Sequence, residues 1–202
     1  MATQKPLRSM LLQGSPLAIG RAREVAALVL AHPRRAPALV ECLWDEAPGV
    51  ANRAADALGH VSRDRPSILE PWSASLLGLL GEAAESRLRW NLVQIVPRLT
   101  LKGTEVRRAV ALLEARLDDR SSIVKTSALQ GLADLARRDR SLLPEVLDLL
   151  RIHTRSGTPA MRARGRMLLK ILEPADAEAP MGRASPPLRT LPCHTPDSAK
   201  RA

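Results

Sequence analysis

Between Arg151 and Lys170 the chain carries six basic residues and no acidic one: Arg151, Arg155, Arg162, Arg164, Arg166 and Lys170. Cations without carboxylate neighbours make no bonds of their own. Their chemistry is attraction, to phosphate or to an acidic protein surface. Arg162, Arg166 and Lys170 stand at i, i+4 and i+8, which on a helix is one face. Met161, Gly165, Leu168, Leu169 and Leu172 fall on the other side. The same pattern suits a terminal helix that turns its apolar side inward and its charge outward, and Lys170 would complement a helix C-terminus. These six residues are the candidate partner-binding surface.

The residue types that could make or break bonds do not assemble in the sequence. His32, His60 and His153 are widely separated, and none sits beside a Ser or Cys in a nucleophile context. No Gly-rich phosphate loop and no H-E-x-x-H pattern is present. Cys42 falls on an apolar helical pattern with Leu39, Val40 and Leu43, so it is expected in the core. Cys193-His194 lies in a Pro-rich stretch, and two adjacent ligands cannot surround a metal. The sequence therefore predicts no catalytic residue, no metal site and no cofactor.

Composition sets the frame for these residues. The 202-residue chain is 45% hydrophobic and 26% charged, which fits one folded soluble domain plus a tail. It has three Trp and neither Phe nor Tyr, so Leu, Val, Ile and Ala must build the core. So few aromatics offer little stacking area, which counts against a dedicated single-strand nucleic-acid binder. The net charge of +10 is uneven: +2 over residues 1–48, −1 over 49–83, +3 over 84–120, +6 over 121–172 and zero beyond. Two readings follow: Arg spread over solvated helix faces, or a positive surface near the C-terminal end that attracts an acidic partner. The short apolar stretch Met10-Leu11-Leu12 makes a poor signal peptide. No segment approaches the roughly 18 apolar residues of a membrane span. The expected location is cytoplasmic, with no membrane partner.

The elements that position these residues repeat. Val50, Leu88, Val124 and Met161 open similar segments, 38, 36 and 37 residues apart. Four and eight residues on, each has the same helical face: Ala54 and Leu58, Leu92 and Val96, Ala128 and Leu132, Gly165 and Leu169. A basic residue follows three of the four openings, at Arg89, Lys125 and Arg162, while Ala51 breaks the series. Helix pairs are expected at about 17–31 with 36–45, 49–62 with 67–80, 84–99 with 104–117 and 121–137 with 141–153, then a last helix at about 159–172. Ser15-Pro16 and Thr158-Pro159 read as helix starts. In 104–117, Val106, Ala109, Val110, Leu113 and Leu117 form an apolar stripe. Pro37, Pro71 and Pro144 share a place near the start of a second helix, where the missing donor costs nothing. Pro97 falls inside a helical pattern and should kink or end it.

A repeat of this length built from helix pairs predicts an all-α, right-handed α-solenoid of about four antiparallel pairs plus a terminal helix. The expected organisation is a weakly ordered N-terminal segment at 1–15, a repeat domain at 16–172, and a Pro-rich disordered tail at 173–202.

Asp119-Arg120-Ser121-Ser122-Ile123-Val124-Lys125, followed by Ala128 and Leu132, resembles a HEAT repeat. Asp45 to Gly59 is a second match, with weaker ones at Leu88-Arg89 and Met161-Arg162; the resemblance covers about 17–172. It implies a ladder between the turn Asp and the following basic residue, here Asp119 with Lys125. Ala83 and Ser156 stand where further ladder acids would fall, and Arg89 and Arg162 would take structural duty. It also implies first helices on the convex side and second helices lining a concave binding surface. The HEAT-like alkylpurine DNA glycosylases are similar in size, repeats and charge, and use concave aromatics with an Asp. Trp44, Trp72 and Trp90, with Asp45 and Asp148, would be the residues concerned; whether any of these Trp is exposed the sequence leaves open. The expected function is a non-catalytic HEAT-repeat scaffold that binds a protein. The alternative is a nucleic-acid-binding HEAT-like protein working through its basic C-terminal repeats.

Overall fold

A computed structural model describes residues 4–13 and 20–177. Among these residues there are ten α-helices and no strand. They are α1 (Gln4–Leu12), α2 (Ala22–Ala31), α3 (Ala36–Glu41), α4 (Pro48–Asp64), α5 (Ser73–Glu82), α6 (Ser86–Ile95), α7 (Thr104–Ala115), α8 (Ser122–Arg138), α9 (Leu143–Ser156) and α10 (Pro159–Ala177). Helices α2, α4, α6, α8 and α10 pack each against the next as one continuous layer. Helices α3, α5, α7 and α9 form the second layer, so each pair buries between them a stripe that one helix alone could not hide. The all-α solenoid expected from the repeat is what forms.

Proline chemistry sets the boundaries. Pro37 and Pro144 occupy the first turns of α3 and α9, and Pro71 lies in the 3-10 segment Pro66–Trp72 that leads into α5. Pro97 ends the α-helical part of α6, as its missing donor requires, and the chain continues as a 3-10 turn, Val96–Arg98. The stripe of α7 is inward, with Ala109, Val110 and Leu113 buried, and Leu117 is buried in the 3-10 turn Arg116–Asp118 that follows. Cys42 is in the core, where its thiol donates to the Ala38 carbonyl at 3.2 Å.

Two ends differ from the sequence reading. Where a weakly ordered segment was expected, α1 docks Leu7 and Leu11 fully into the core. Arg8 binds Asp45 through Nε (2.5 Å) and Nη2 (3.1 Å). Arg53, itself buried, donates from Nε to the Leu11 carbonyl and lies against Gly20 and Gly49. Gly20 has φ +55°, a conformation that favours glycine, and a Cβ there would meet Arg53 Cδ at 2.8 Å. These contacts tie down α1, and they join residues too far apart for periodicity to reveal. At the other end α10 runs to Ala177, past the expected boundary at 172. Ser15-Pro16 and the Pro-rich stretch from 178 lie outside the described residues.

Candidate partner-binding face

The repeat register predicts which residues share the outer face of the first-helix layer. Advancing by 38, 36 and 37 residues gives Asp56, Gln94, Gln130 and Met167 as one row, and His60, Arg98, Asp134 and Ile171 as the next. The structure opens clefts along these rows. One, of about 250 Å³, lies between α2, α4 and α6 and is lined by Arg23, Asp56, His60, Arg63, Trp90 and Arg98. A second, of about 140 Å³, continues across α6 and α8 to Arg164 on α10. A third joins Arg63 and Arg98 to Arg137, and Arg137 also borders Ile171.

The resemblance had placed the binding surface on the second helices. These three clefts lie along the first helices and the turns that follow them.

Charge on this face is positive in excess. Among the described residues, Arg23, Arg63, Arg98 and Arg137 form no ion pair. Arg98 is half-buried; its Nη1 donates to the Gly59 carbonyl (3.3 Å) and Ser62 Oγ (3.0 Å), and Asp134 in the same cleft acts on it by charge, not as an ion pair in contact. Burial, and then the charge of Arg63, lower its pKa. His60 is likewise pushed down, by burial first and then by Arg63 and Arg23. Of the acids present, Asp56 is taken up by Arg87 Nη2 (2.5 Å) and Asn91 Nδ2 (2.7 Å), and Asp134 accepts from Gln130. The macrodipole accounts for some of this, since Arg63 and Arg137 sit in last turns. It does not account for crowding unpaired cations together in one cleft.

The six basic residues singled out in the sequence do not share one surface role. Arg151 is paired with Asp148 (3.1 Å) and Glu173 (3.6 Å). Arg162 Nη1 donates to the Gly157 carbonyl (3.0 Å) that precedes its helix. Arg164 Nη1 donates to Gln130 Oε1 (3.2 Å) and joins the cleft face. Arg155, Arg166 and Lys170 are exposed. The outward side of α10 is not purely charged either, because Met167 and Ile171 are 57% and 52% exposed. The sequence reading missed Arg23, Arg63, Arg98 and Arg137, which are dispersed along the chain and only the stacking of the helices brings together. The repeat register held the signal that could have found them.

The ladder is built differently from the implied one. Asp119 pairs with Arg89 of the preceding repeat, not with Lys125. The reason is geometric: Lys125 is on the helix that Asp119 precedes, whereas Arg89 reaches across from α6 and also donates to the Ala83 and Ala84 carbonyls. Of the acids weighed beside the Trp residues, Asp45 is occupied by Arg8 and Asp148 by Arg151. Trp44 is 53% exposed, Trp72 and Trp90 are half-buried, and Trp90 alone of the three lines the Arg98 cleft. No group of three or more His, Cys, Asp or Glu among the described residues could hold a metal ion. No helix among them is long and apolar enough to cross a membrane.

No protein-family profile matches the chain, and no curated protein matches it significantly. Solved structures do. An engineered protein superposes with a TM-score of 0.61 at 15% identity, over 83% of this chain and 78% of that one. A designed armadillo repeat protein superposes with a TM-score of 0.60 at 19% identity, over 84% and 82%. At such identity the likeness shows the fold alone. The protein is a helical-repeat solenoid.

Proposed function

We propose that this solenoid is a non-catalytic scaffold of HEAT-like type that binds a protein partner. The observation that supports this most is the connected, cation-rich face along the first helices, whose acids are engaged structurally and not as an acid–base pair. Solenoids present such extended surfaces because each repeat adds one helix to the same side. The test is capture of partners by the full chain from nuclease-treated lysate, followed by calorimetry with each purified candidate. A purified protein that binds one to one supports the reading. Capture that vanishes with nuclease, alongside direct binding of nucleic acid, overturns it.

One observation favours a second reading, nucleic-acid binding: Trp90 lies in the same cleft as Arg23, Arg63 and Arg98. Phosphate contacts would make duplex affinity fall steeply with salt.

A further inference from the structure

The cation row and the exposed apolar pair occupy one face, in a fixed order. Arg23 belongs to α2, Arg63 to α4, Arg98 to the turn closing α6 and Arg137 to α8. Met167 and Ile171 follow on α10, the next helix of the layer. The register puts Met167 in line with Asp56, Gln94 and Gln130, and Ile171 in line with His60, Arg98 and Asp134. Arg137 borders the clefts on both sides, with Arg98 and Arg63 in one and Ile171 in the other. The face therefore carries cations on α2, α4, α6 and α8, and on α10 an exposed apolar pair, Met167 and Ile171, beside Arg164.

We infer that this face binds an extended acidic protein segment, its carboxylates on Arg23, Arg63, Arg98 and Arg137 and an apolar residue at its end on Met167 and Ile171. The inference rests on the protein-binding reading above and adds to it the surface and the chemistry of the occupant. Packed helices stand about 8–10 Å apart, and an extended chain advances about 3.3 Å per residue. One cation per helix thus matches one acid at about every third residue of the segment. Clefts of about 250 and 140 Å³ take single side chains, which suits an extended segment better than a helix. A duplex has no counterpart for Met167 and Ile171, which are exposed on the fifth helix of the layer. A second copy of this chain, net +10, offers no complementary charge.

The probe is a synthetic 15-residue peptide with Glu at every third position and two Leu at one end. Its control has the same composition with the Glu residues clustered. Fluorescence anisotropy with the full chain reads binding at several salt concentrations, beside a labelled 20-base-pair duplex. The spaced peptide is expected to bind at least about tenfold more tightly than the clustered one. Arg23→Glu/Arg63→Glu should weaken it about tenfold at low salt and flatten its salt dependence. Met167→Ser/Ile171→Ser should weaken it similarly while leaving the salt dependence unchanged. All four positions are at or near the surface, and circular dichroism melts verify that the variants fold. Equal binding of the two peptides overturns the inference. So does a loss confined to Arg166→Glu/Lys170→Glu, which moves the site while leaving the scaffold reading intact. Duplex binding tighter than either peptide and insensitive to Met167→Ser/Ile171→Ser overturns both.

Discussion

Arg89 and Asp119 form a two-pronged ion pair that ties α6 to the turn before α8. Nε meets Oδ2 at 2.6 Å and Nη2 meets Oδ1 at 3.3 Å. The remaining Nη1 turns back to the carbonyls of Ala83 and Ala84, and Asp119 also accepts the Ser121 amide at 2.8 Å. One side chain thus closes a turn in its own repeat and grips the next. Asp45 repeats the arrangement at the N-terminal end, taking Arg8 and the Ala47 amide. Arg162 repeats the carbonyl half, on Gly157, at the C-terminal end.

Removing Arg89 leaves a carboxylate that is 3% exposed without its cation. Arg89→Ala should cost about 2–4 kcal/mol, near the loss for breaking a buried pair. Arg89→Lys should recover less than half, because an ammonium cannot span both oxygens. Urea unfolding reads this as a shifted midpoint at constant slope. A loss below about 1 kcal/mol would show that the pair behaves as an exposed one.

The same pair sets a pH dependence. Burial pushes the Asp119 carboxyl up, but the bond from Arg89, the Ser121 amide and the charges of Arg89 and Arg116 outweigh it, and its pKa is lowered. The folded state therefore holds this proton less tightly than the unfolded chain. The stability it contributes is present above the unfolded value of about 3.9 and is lost as pH falls through the lower folded value. Melting temperatures of the wild type and Asp119→Asn should differ most near about pH 6, and the gap should shrink as pH falls below the unfolded value of about 3.9. A constant gap would sink the assignment.

A second set of arginines explains much of the chain's basic excess. Arg65 donates to the Leu30 carbonyl (3.2 Å), Arg98 to Gly59, and Arg138 to Leu99 (3.1 Å). Each reaches back to the C-terminal part of the preceding first helix or the turn just beyond it; of the three carbonyls, that of Leu30 lies in a last turn, where the intrahelical donor is missing. Arg116 does the same in the second layer, on Leu80 (2.7 Å) and Gly81 (2.9 Å). Arg116→Lys should lose about 1–2 kcal/mol, since one fork serves two carbonyls. Denaturant titration checks it, and an unchanged midpoint would mean water replaces the guanidinium freely.

The architecture was legible because its signal is periodic. Leu58, Leu92 and Leu132 report burial and Pro144 a helix start, and local rules suffice to place them. The first-layer face was legible in principle, since the steps that relate Val50 to Met161 also relate Asp56 to Met167. The ladder was not, because Asp119 has two basic candidates at similar reach and only the stacking offset selects Arg89. The cluster at Arg151–Lys170 was conspicuous in sequence but divided in space between an ion pair, a turn cap and the cleft face. Docking of α1 was hidden for the opposite reason: Leu7 and Leu11 are too few to establish a period.

Cys42 should be an unreactive thiol until the pH is high. Burial, and then the charge of Asp45, push it up to about 11, against a smaller lowering by Arg8. The folded state retains the proton that an unfolded thiol loses near about 8.5, so stability present below that value declines as pH rises toward the folded one. In a Cys193→Ser background, alkylation of the native protein near about pH 8 should be slower than that of the denatured chain by at least about a hundredfold. Comparable rates would show that the α3 region opens readily.

Gly131 and Pro97 form a matched pair at the α6–α8 crossing. A Cβ at Gly131 would lie 2.8 Å from Pro97 Cγ and 3.2 Å from the Val93 carbonyl oxygen. Pro97 already denies that oxygen its usual amide four residues on, so the ring and the free carbonyl occupy the space that a side chain on α8 would need. Gly131→Ala should then push the helices apart at a cost of about 1–3 kcal/mol, outweighing the helix propensity that alanine adds. Removing the ring relieves the closer of the two contacts. In a Pro97→Ala background the same substitution should cost about 1 kcal/mol less, a coupling that a double-mutant cycle in urea resolves. Strict additivity would mean that Val93 alone sets the spacing. A stabilised Gly131→Ala single variant would mean that the layer has slack at this crossing.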